Sequence, residues 1–275
     1  MNNTELSQDI ELFYVNSSAR KSLETLRAYK STFNLLIEYL NKNNSELNEK
    51  SINNWLIDLK ENGDSNRTLN RHLYALKAYL KYSKKLELIN NIETYVIDIQ
   101  EQIAIPVIQL KKLLDYCISP FNTLLITILI STGAKICEIA QLKKSDIIEY
   151  ENFLAIKLWI SNKKNKTRFV PIKAEWAIDN IKNSIQELEK GKPLEFIFLG
   201  KGVDSLRYSV KEIARSAGMP FIHPHTFRHT YITELFKKGV NIYQIKNLTG
   251  LSSAVVRDCV PKETLQDAMN FTPEI

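Results

Sequence analysis

Between Ser22 and about Asn91 the apolar residues fall at steps of three and four, with no alternating run among them. That spacing gathers them on one face of an α-helix and would scatter them over both faces of a strand, so the stretch folds as a packed group of helices. Polar breaks at Asn41–Ser45 and Glu61–Ser65 divide it, and at least four helices are expected there. In the helix expected from about Ser65 to Lys85, Leu69, Leu73, Leu76 and Leu80 form an apolar stripe. Arg67, Arg71, Tyr74, Lys77 and Lys81 line another side. That basic side is either the solvated face of a packed helix or a face laid against a DNA backbone.

The periodicity weakens from Asn90 to Gln102, and Ile105-Pro106 precedes a new helical pattern that runs to about Tyr116. A boundary near residue 100 is expected, giving a helical domain over 1–100 and a second domain over 101–275. The second half contains a strand-like pair, Phe153 to Ile160 and Arg168 to Ile172, joined by the polar stretch Ser161 to Thr167. This predicts a β-hairpin with a basic tip. Gly239 and Gly250 are placed as helix stops, with Asn241 and Ser252 or Ser253 as starts.

A net charge of +6 and a pI near 9.0 favour an acidic partner. Cys117, Cys137 and Cys259 are far apart and in neither disulfide nor zinc spacing. No cofactor or metal is therefore expected, and a reducing cytoplasm fits. The N-terminus lacks a basic region followed by an apolar core, and the most apolar run, Leu124 to Ile130, is too short to span a bilayer. A cytoplasmic protein without a membrane partner is the expectation.

The densest motif is His225-Thr-Phe-Arg228-His229-Thr230, opening behind Pro224. In a helix starting there, His225 and Arg228 share one face at the first turn, where backbone N–H groups also point outward, an arrangement suited to gripping phosphate. Taken singly, His225 and Arg228 also fit a cap and a salt-bridging arginine, and His229 and Thr230 fit packed interior positions.

The motif resembles the second signature box of the tyrosine recombinases and phage integrases. Other segments are similar to that family in order and spacing. Thr25-x-x-x-Tyr29, Trp55-Leu56-x-x-Leu59 and Ser65-x-x-Thr68 resemble its SAM-like core-binding domain. Ser131-Thr-Gly133-Ala-Lys135-Ile-Cys-Glu138, with Leu142 and Asp146, is similar to the first box, where Lys135 stands in place of an arginine. Asn162-Lys163-Lys-Asn-Lys166-Thr-Arg168-Phe-Val-Pro171 resembles the β-turn that carries a catalytic lysine, matched by Lys163. Leu248-Thr-Gly250-Leu251-Ser252-Ser253 resembles the segment where a histidine or tryptophan follows the glycine; here that residue is Leu251. The position of the attacking tyrosine is Val260, and no tyrosine follows Tyr243.

The resemblance implies a mainly α, two-domain tyrosine-recombinase-like clamp: a helical N-terminal core-binding-like domain, and an α-rich C-terminal domain with a small antiparallel β-sheet. It implies sequence-specific binding of double-stranded DNA by Arg67, Arg71, Lys77, Lys81, Lys135, Lys163, Lys166, Arg168, His225 and Arg228. In the family's chemistry a tyrosine attacks the scissile phosphate, arginines and a histidine stabilise the phosphoryl oxygens, and a lysine protonates the leaving 5′ oxygen. Val260 has no heteroatom, Leu251 donates no hydrogen bond, and Lys135 lacks the two-pronged guanidinium. From these departures the expectation is a vestigial set, Lys135, Lys163, His225 and Arg228, in a protein that is not an enzyme. Its expected role is transcriptional repressor of a prophage or other mobile element.

The alternative is a recombinase or integrase, or its accessory factor, with a displaced nucleophile such as Cys259; Ser252, Ser253 and Tyr243 are less well placed. A second alternative is a plain transcription factor, since Gln244 to Arg257 fits a helix-turn-helix with glycine in the turn. Leu265, Ala268 and Met269 share a helical face in the tail Lys262 to Ile275, which suits docking on a second copy of the chain on DNA.

Overall fold

The computed structural model describes residues 3–97, 104–160, 166–190 and 193–251. The chain divides into two compact units, Met1–Gln100 and Glu101–Ile275.

The first unit is built of α1 (Asn3–Ser18), α2 (Leu23–Lys42), α3 (Glu49–Glu61) and α4 (Asn66–Tyr82), followed by a 3-10 turn at Leu86–Ile89. The breaks fall where polar side chains satisfy helix-start amides: Ser22 accepts from Thr25 N, Asn48 from Ser51 N and Ser65 from Thr68 N. Between Ser22 and Asn91, where at least four helices were expected, there are three α-helices and the 3-10 turn; α1, which precedes that stretch, buries Leu6, Ile10 and Phe13.

Leu69, Leu73, Leu76 and Leu80 of α4 are fully buried against Phe33, Leu36 and Leu40 of α2 and Trp55 and Leu56 of α3. The Tyr79 hydroxyl donates to Asp9 of α1 at 2.7 Å, and Thr32 Oγ1 lies 2.8 Å from Nδ1 of the buried His72. After α4 the chain is pinned back on it, as Asn70 Nδ2 donates to the Tyr95 carbonyl and its Oδ1 accepts the Tyr95 amide, both at 2.8 Å. Packing on three sides therefore fixes which face of α4 is turned outward.

The second unit comprises α5 (Val107–Lys111) with a 3-10 turn at Lys112–Tyr116, α6 (Pro120–Thr132), the short α7 (Ile136–Ile139), and β1 (Ile147–Glu149), β2 (Leu154–Trp159) and β3 (Thr167–Ile172). Then come α8 (Glu175–Leu188), α9 (Val203–Ser216), α10 (Pro224–Lys237) and α11 (Ile242–Thr249). The apolar run Leu124 to Ile130 is buried all round in α6, the central helix of this core. Among the described residues no helix is long and apolar enough to cross a membrane.

The sheet is antiparallel in the order β1-β2-β3, with Ile156 opposite Ile147 on one side and Val170 on the other. β2 and β3 form the expected hairpin, closed at its base by the Ile160 amide donating to the Lys166 carbonyl at 2.8 Å. Its tip, including Lys163, lies outside the described residues. The three-residue β1 was not anticipated, since so short a strand shows no alternation of its own.

The chain is thus mainly α, in two domains, with one small antiparallel sheet.

Candidate functional site

Three glycine- or proline-marked ends converge in the second unit. α6 stops at Gly133, which takes a left-handed φ of 55°. A Cβ there would stand 2.7 Å from the Tyr231 side chain, so only glycine allows α10 to approach this turn. α10 begins at Pro224, and α11 stops at Gly250 with φ 71°.

Arg228, on the first turns of α10, lies between the other two ends. Nη1 donates to the Gly133 carbonyl at 2.8 Å, and Nη2 donates to the Thr249 carbonyl. Arg228 is only 4% exposed whereas His225 is exposed, so the two are not a pair of surface groups. Through these two bonds it fastens the end of α6 to the end of α11.

Lys135 follows Gly133 and is half-buried at the start of α7; its amide donates to Glu138 Oε2 at 3.0 Å. The imidazole of His225 lies in the field of this cluster. Partial burial first, then the neighbouring His223, Arg228, Lys135 and Arg207, hold its pKa below the ordinary histidine value. The first-box lysine and both second-box residues, distant in the chain, are therefore brought together. Arg207, exposed on α9, also acts here and was missed; its signal was a basic stripe, Arg207, Lys211 and Arg215, at four-residue steps on an amphipathic helix.

Arg168 corrects the sequence-based expectation. It was expected among the DNA contacts because it follows the basic turn, yet it is 4% exposed and faces the core. Nη1 and Nη2 donate to Glu138 Oε2 at 3.0 and 2.9 Å, and Nε donates to the Leu248 carbonyl at 2.6 Å. Alternation along β3 explains this: Arg168 shares a face with the buried Val170 and Ile172, while Phe169 points outward. Lys166, at the hairpin base, is exposed as expected.

Leu251, where the family places a hydrogen-bond donor, packs against the small cluster of Ile232 and Ile245. Tyr231 is wedged against Gly133; burial pushes its hydroxyl up to about 12, against the opposing pull of Arg168 and Arg228. Thr230 is buried and accepts the Ile105 amide at 3.0 Å. Ser252, Ser253, Arg257, Cys259, Val260 and the tail from Lys262 lie outside the described residues, as does the second helix of the helix-turn-helix alternative.

In the first unit Arg67, Arg71, Tyr74 and Lys81 are exposed and Lys77 is half-buried, opposite the leucine stripe of α4.

The histidines predict a pH dependence. His229 Nδ1 is buried with no hydrogen-bond partner among the described residues, and its pKa is lowered by burial first, then by His225, Arg228 and His223. With His225 and His229 both lowered, the unfolded chain takes up protons before the folded one as the pH drops. Stability of the second unit is thus expected to be complete above the ordinary histidine value and to fall as the pH drops through it toward the folded values. Melting curves across that range for wild type and His229→Gln, which removes the buried ring, should show a flatter profile in the variant.

Residues 105–255 match the phage integrase family and residues 10–86 match its N-terminal SAM-like domain. The chain belongs to the phage integrase family. It is 29% identical over 266 residues to a tyrosine recombinase of Thermosipho africanus, a match covering 88% of this chain and 90% of the relative. It is 24% identical to the tyrosine recombinase XerC of Anoxybacillus flavithermus, over 97% of each chain.

Among solved structures, the fold is similar to XerH site-specific recombinase bound to difH substrate in a pre-cleavage complex, with a TM-score of 0.70 and 22% identity. That match covers 96% of this chain and 84% of the other. A lambda integrase dimer bound to a COC′ core site gives a TM-score of 0.68 at 13% identity, covering 90% of this chain and 96% of the other. These relatives overturn the expectation that the chain is not an enzyme, because the proteins it matches along most of its length are named as recombinases.

Proposed function

We propose that this chain binds duplex DNA at a defined sequence and takes part in site-specific strand exchange there. What supports the reading most is the assembly, around the anchored Arg228, of Lys135 and His225 from boxes far apart in the chain. Such a cluster of fixed positive charge and donors is what a phosphodiester needs when charge builds on its non-bridging oxygens. The DNA-bound recombinases of similar fold point the same way. The outward basic face of α4 supplies further phosphate contacts, through Arg67, Arg71, Lys77 and Lys81.

Strand transfer by this chain's own residues needs a nucleophile other than Val260. Cys259 is adjacent to that position. In the proposed step its thiolate forms an S–P bond as the P–O5′ bond breaks, and Lys163 gives the leaving 5′ oxygen its proton. Attack by the 5′ hydroxyl of a second strand, which gives its proton back to the now neutral Lys163, breaks the S–P bond, restores the phosphodiester and frees the thiolate. The C-terminal tail, with Leu265, Ala268 and Met269 on one face, is proposed to join copies of the chain on the DNA.

The test begins with fragmented genomic DNA of the source organism, from which bound pieces are recovered and sequenced. A duplex of the recovered sequence, nicked so that the cleaved end diffuses away, then traps any covalent adduct. The expected result is an adduct resistant to denaturation, mapped by mass spectrometry to the peptide containing Cys259 and lost in Cys259→Ala. An adduct on Tyr243 would replace the nucleophile. Tight sequence-specific binding with no adduct would overturn the strand-exchange reading in favour of a regulator that occupies its site.

A further inference from the structure

Two guanidinium groups meet at the last turn of α11. Arg168 donates to the carbonyl of Leu248 and Arg228 to that of Thr249, both among the carbonyls a helix leaves unpaired at its negative end. The hairpin touches this end a second time, since Ile160 Cγ2 lies 3.3 Å from where a Cβ on Gly250 would stand. Arg168 is held in turn by Glu138, whose Oε2 also accepts the Lys135 amide. One buried side chain therefore ties together the first box, the hairpin whose tip carries Lys163, and the helix end from which the chain runs on toward Cys259.

We propose that Arg168 is a positioning residue. It registers the hairpin on the C-terminal end of α11 and so fixes the direction in which the chain leaves Gly250. The proposal rests on the strand-exchange reading for what that direction serves: Lys163 and the nucleophile, carried by two separate segments, must arrive at one phosphate. Arg168 does this without touching DNA, because its three nitrogens are spent inside the fold.

The test uses the full-length protein as wild type, Arg168→Lys, Arg168→Met, and the double variant Arg168→Met with Glu138→Gln, which keeps an acceptor for the Lys135 amide. The double variant leaves no unpaired buried charge, so it should keep its fold even if the single methionine variant loses it. Hydrogen exchange read by mass spectrometry should rise about tenfold for the peptide spanning α11 and Gly250 in the double variant, as expected on losing a charge-assisted bond. Peptides of α6 and α8 should stay protected. On the recovered DNA, the slope of log affinity against log salt should be unchanged in the double variant.

Adduct yield on the nicked duplex should fall about 100-fold, the order expected for a misplaced reacting group. Arg168→Lys, which keeps the charge but loses the fork, should recover part of it. Unchanged exchange at α11 in the double variant would overturn the proposal. So would a salt slope shallower by about one, which marks a direct phosphate contact. So would a normal adduct yield despite fast exchange. Absence of an adduct in the wild type would instead remove the strand-exchange reading, while the exchange and salt measurements would still decide the role of Arg168.

Discussion

Replacing Glu138 by alanine is expected to destabilise the second unit by about 3–5 kcal/mol, because it leaves the Arg168 guanidinium buried without its counter-charge. The side chains of the pair are 3% and 1% exposed, so water cannot take over the lost contact. Burial already pulls the pKa of Arg168 down, and Glu138 is the largest influence opposing that pull. A loss of this size lowers the melting temperature of a unit of this length by roughly 10 °C. A differential scanning measurement on wild type, Glu138→Ala and Asp204→Ala provides its own control. The Arg207–Asp204 pair has the same 2.9 Å separation but is 54% and 95% exposed, where solvent screening leaves only a small contribution. Equal shifts for the two variants would show that the buried pair is not what holds the elements together.

The same pair shows why part of the site escaped a sequence reading. Position along the chain puts Arg168 beside Lys163, Lys164 and Lys166, and a basic turn suggests a solvated or DNA-facing group. Position along β3 puts it with Val170 and Ile172, which is the face that packs on α6. Two periodicities competed, and the strand's was decisive because a residue's face in a sheet is set by parity, whatever its charge. The burial of Arg228 was legible in neither way: its partners, the carbonyls of Gly133 and Thr249, are backbone groups whose location depends on where two other helices end. What could be read was local. The serine and asparagine caps, the glycine stops, the leucine stripe of α4 and the hairpin each depend on residues only a few positions apart. The convergence of the boxes on one turn depends on tertiary packing, and in sequence it is visible only as a family pattern.

Affinity for the recovered DNA should fall by about 10³ to 10⁴ between roughly 50 and 200 mM salt, the behaviour of a complex that neutralises about six phosphates. On the proposed reading, the charges expected to take part are those at the surface. Arg67, Arg71 and Lys81 are exposed on α4 with Lys77 half-buried beside them, and Lys135 and Lys166 reach the surface of the second unit. His225 adds nothing at neutral pH, since partial burial and its cationic neighbours keep it uncharged there, but it joins the contacts as the pH falls. The slope should therefore steepen on acidification by up to one unit and lose that increment in His225→Gln. Arg71→Ala should make the slope shallower by about one at every pH and weaken binding to specific and scrambled duplexes alike, because a phosphate contact carries no sequence information. Fluorescence anisotropy titrations over four salt concentrations at two pH values are enough to separate these cases. A shallow, pH-independent slope in the wild type would mean that neither the α4 face nor the cluster around His225 holds the DNA backbone.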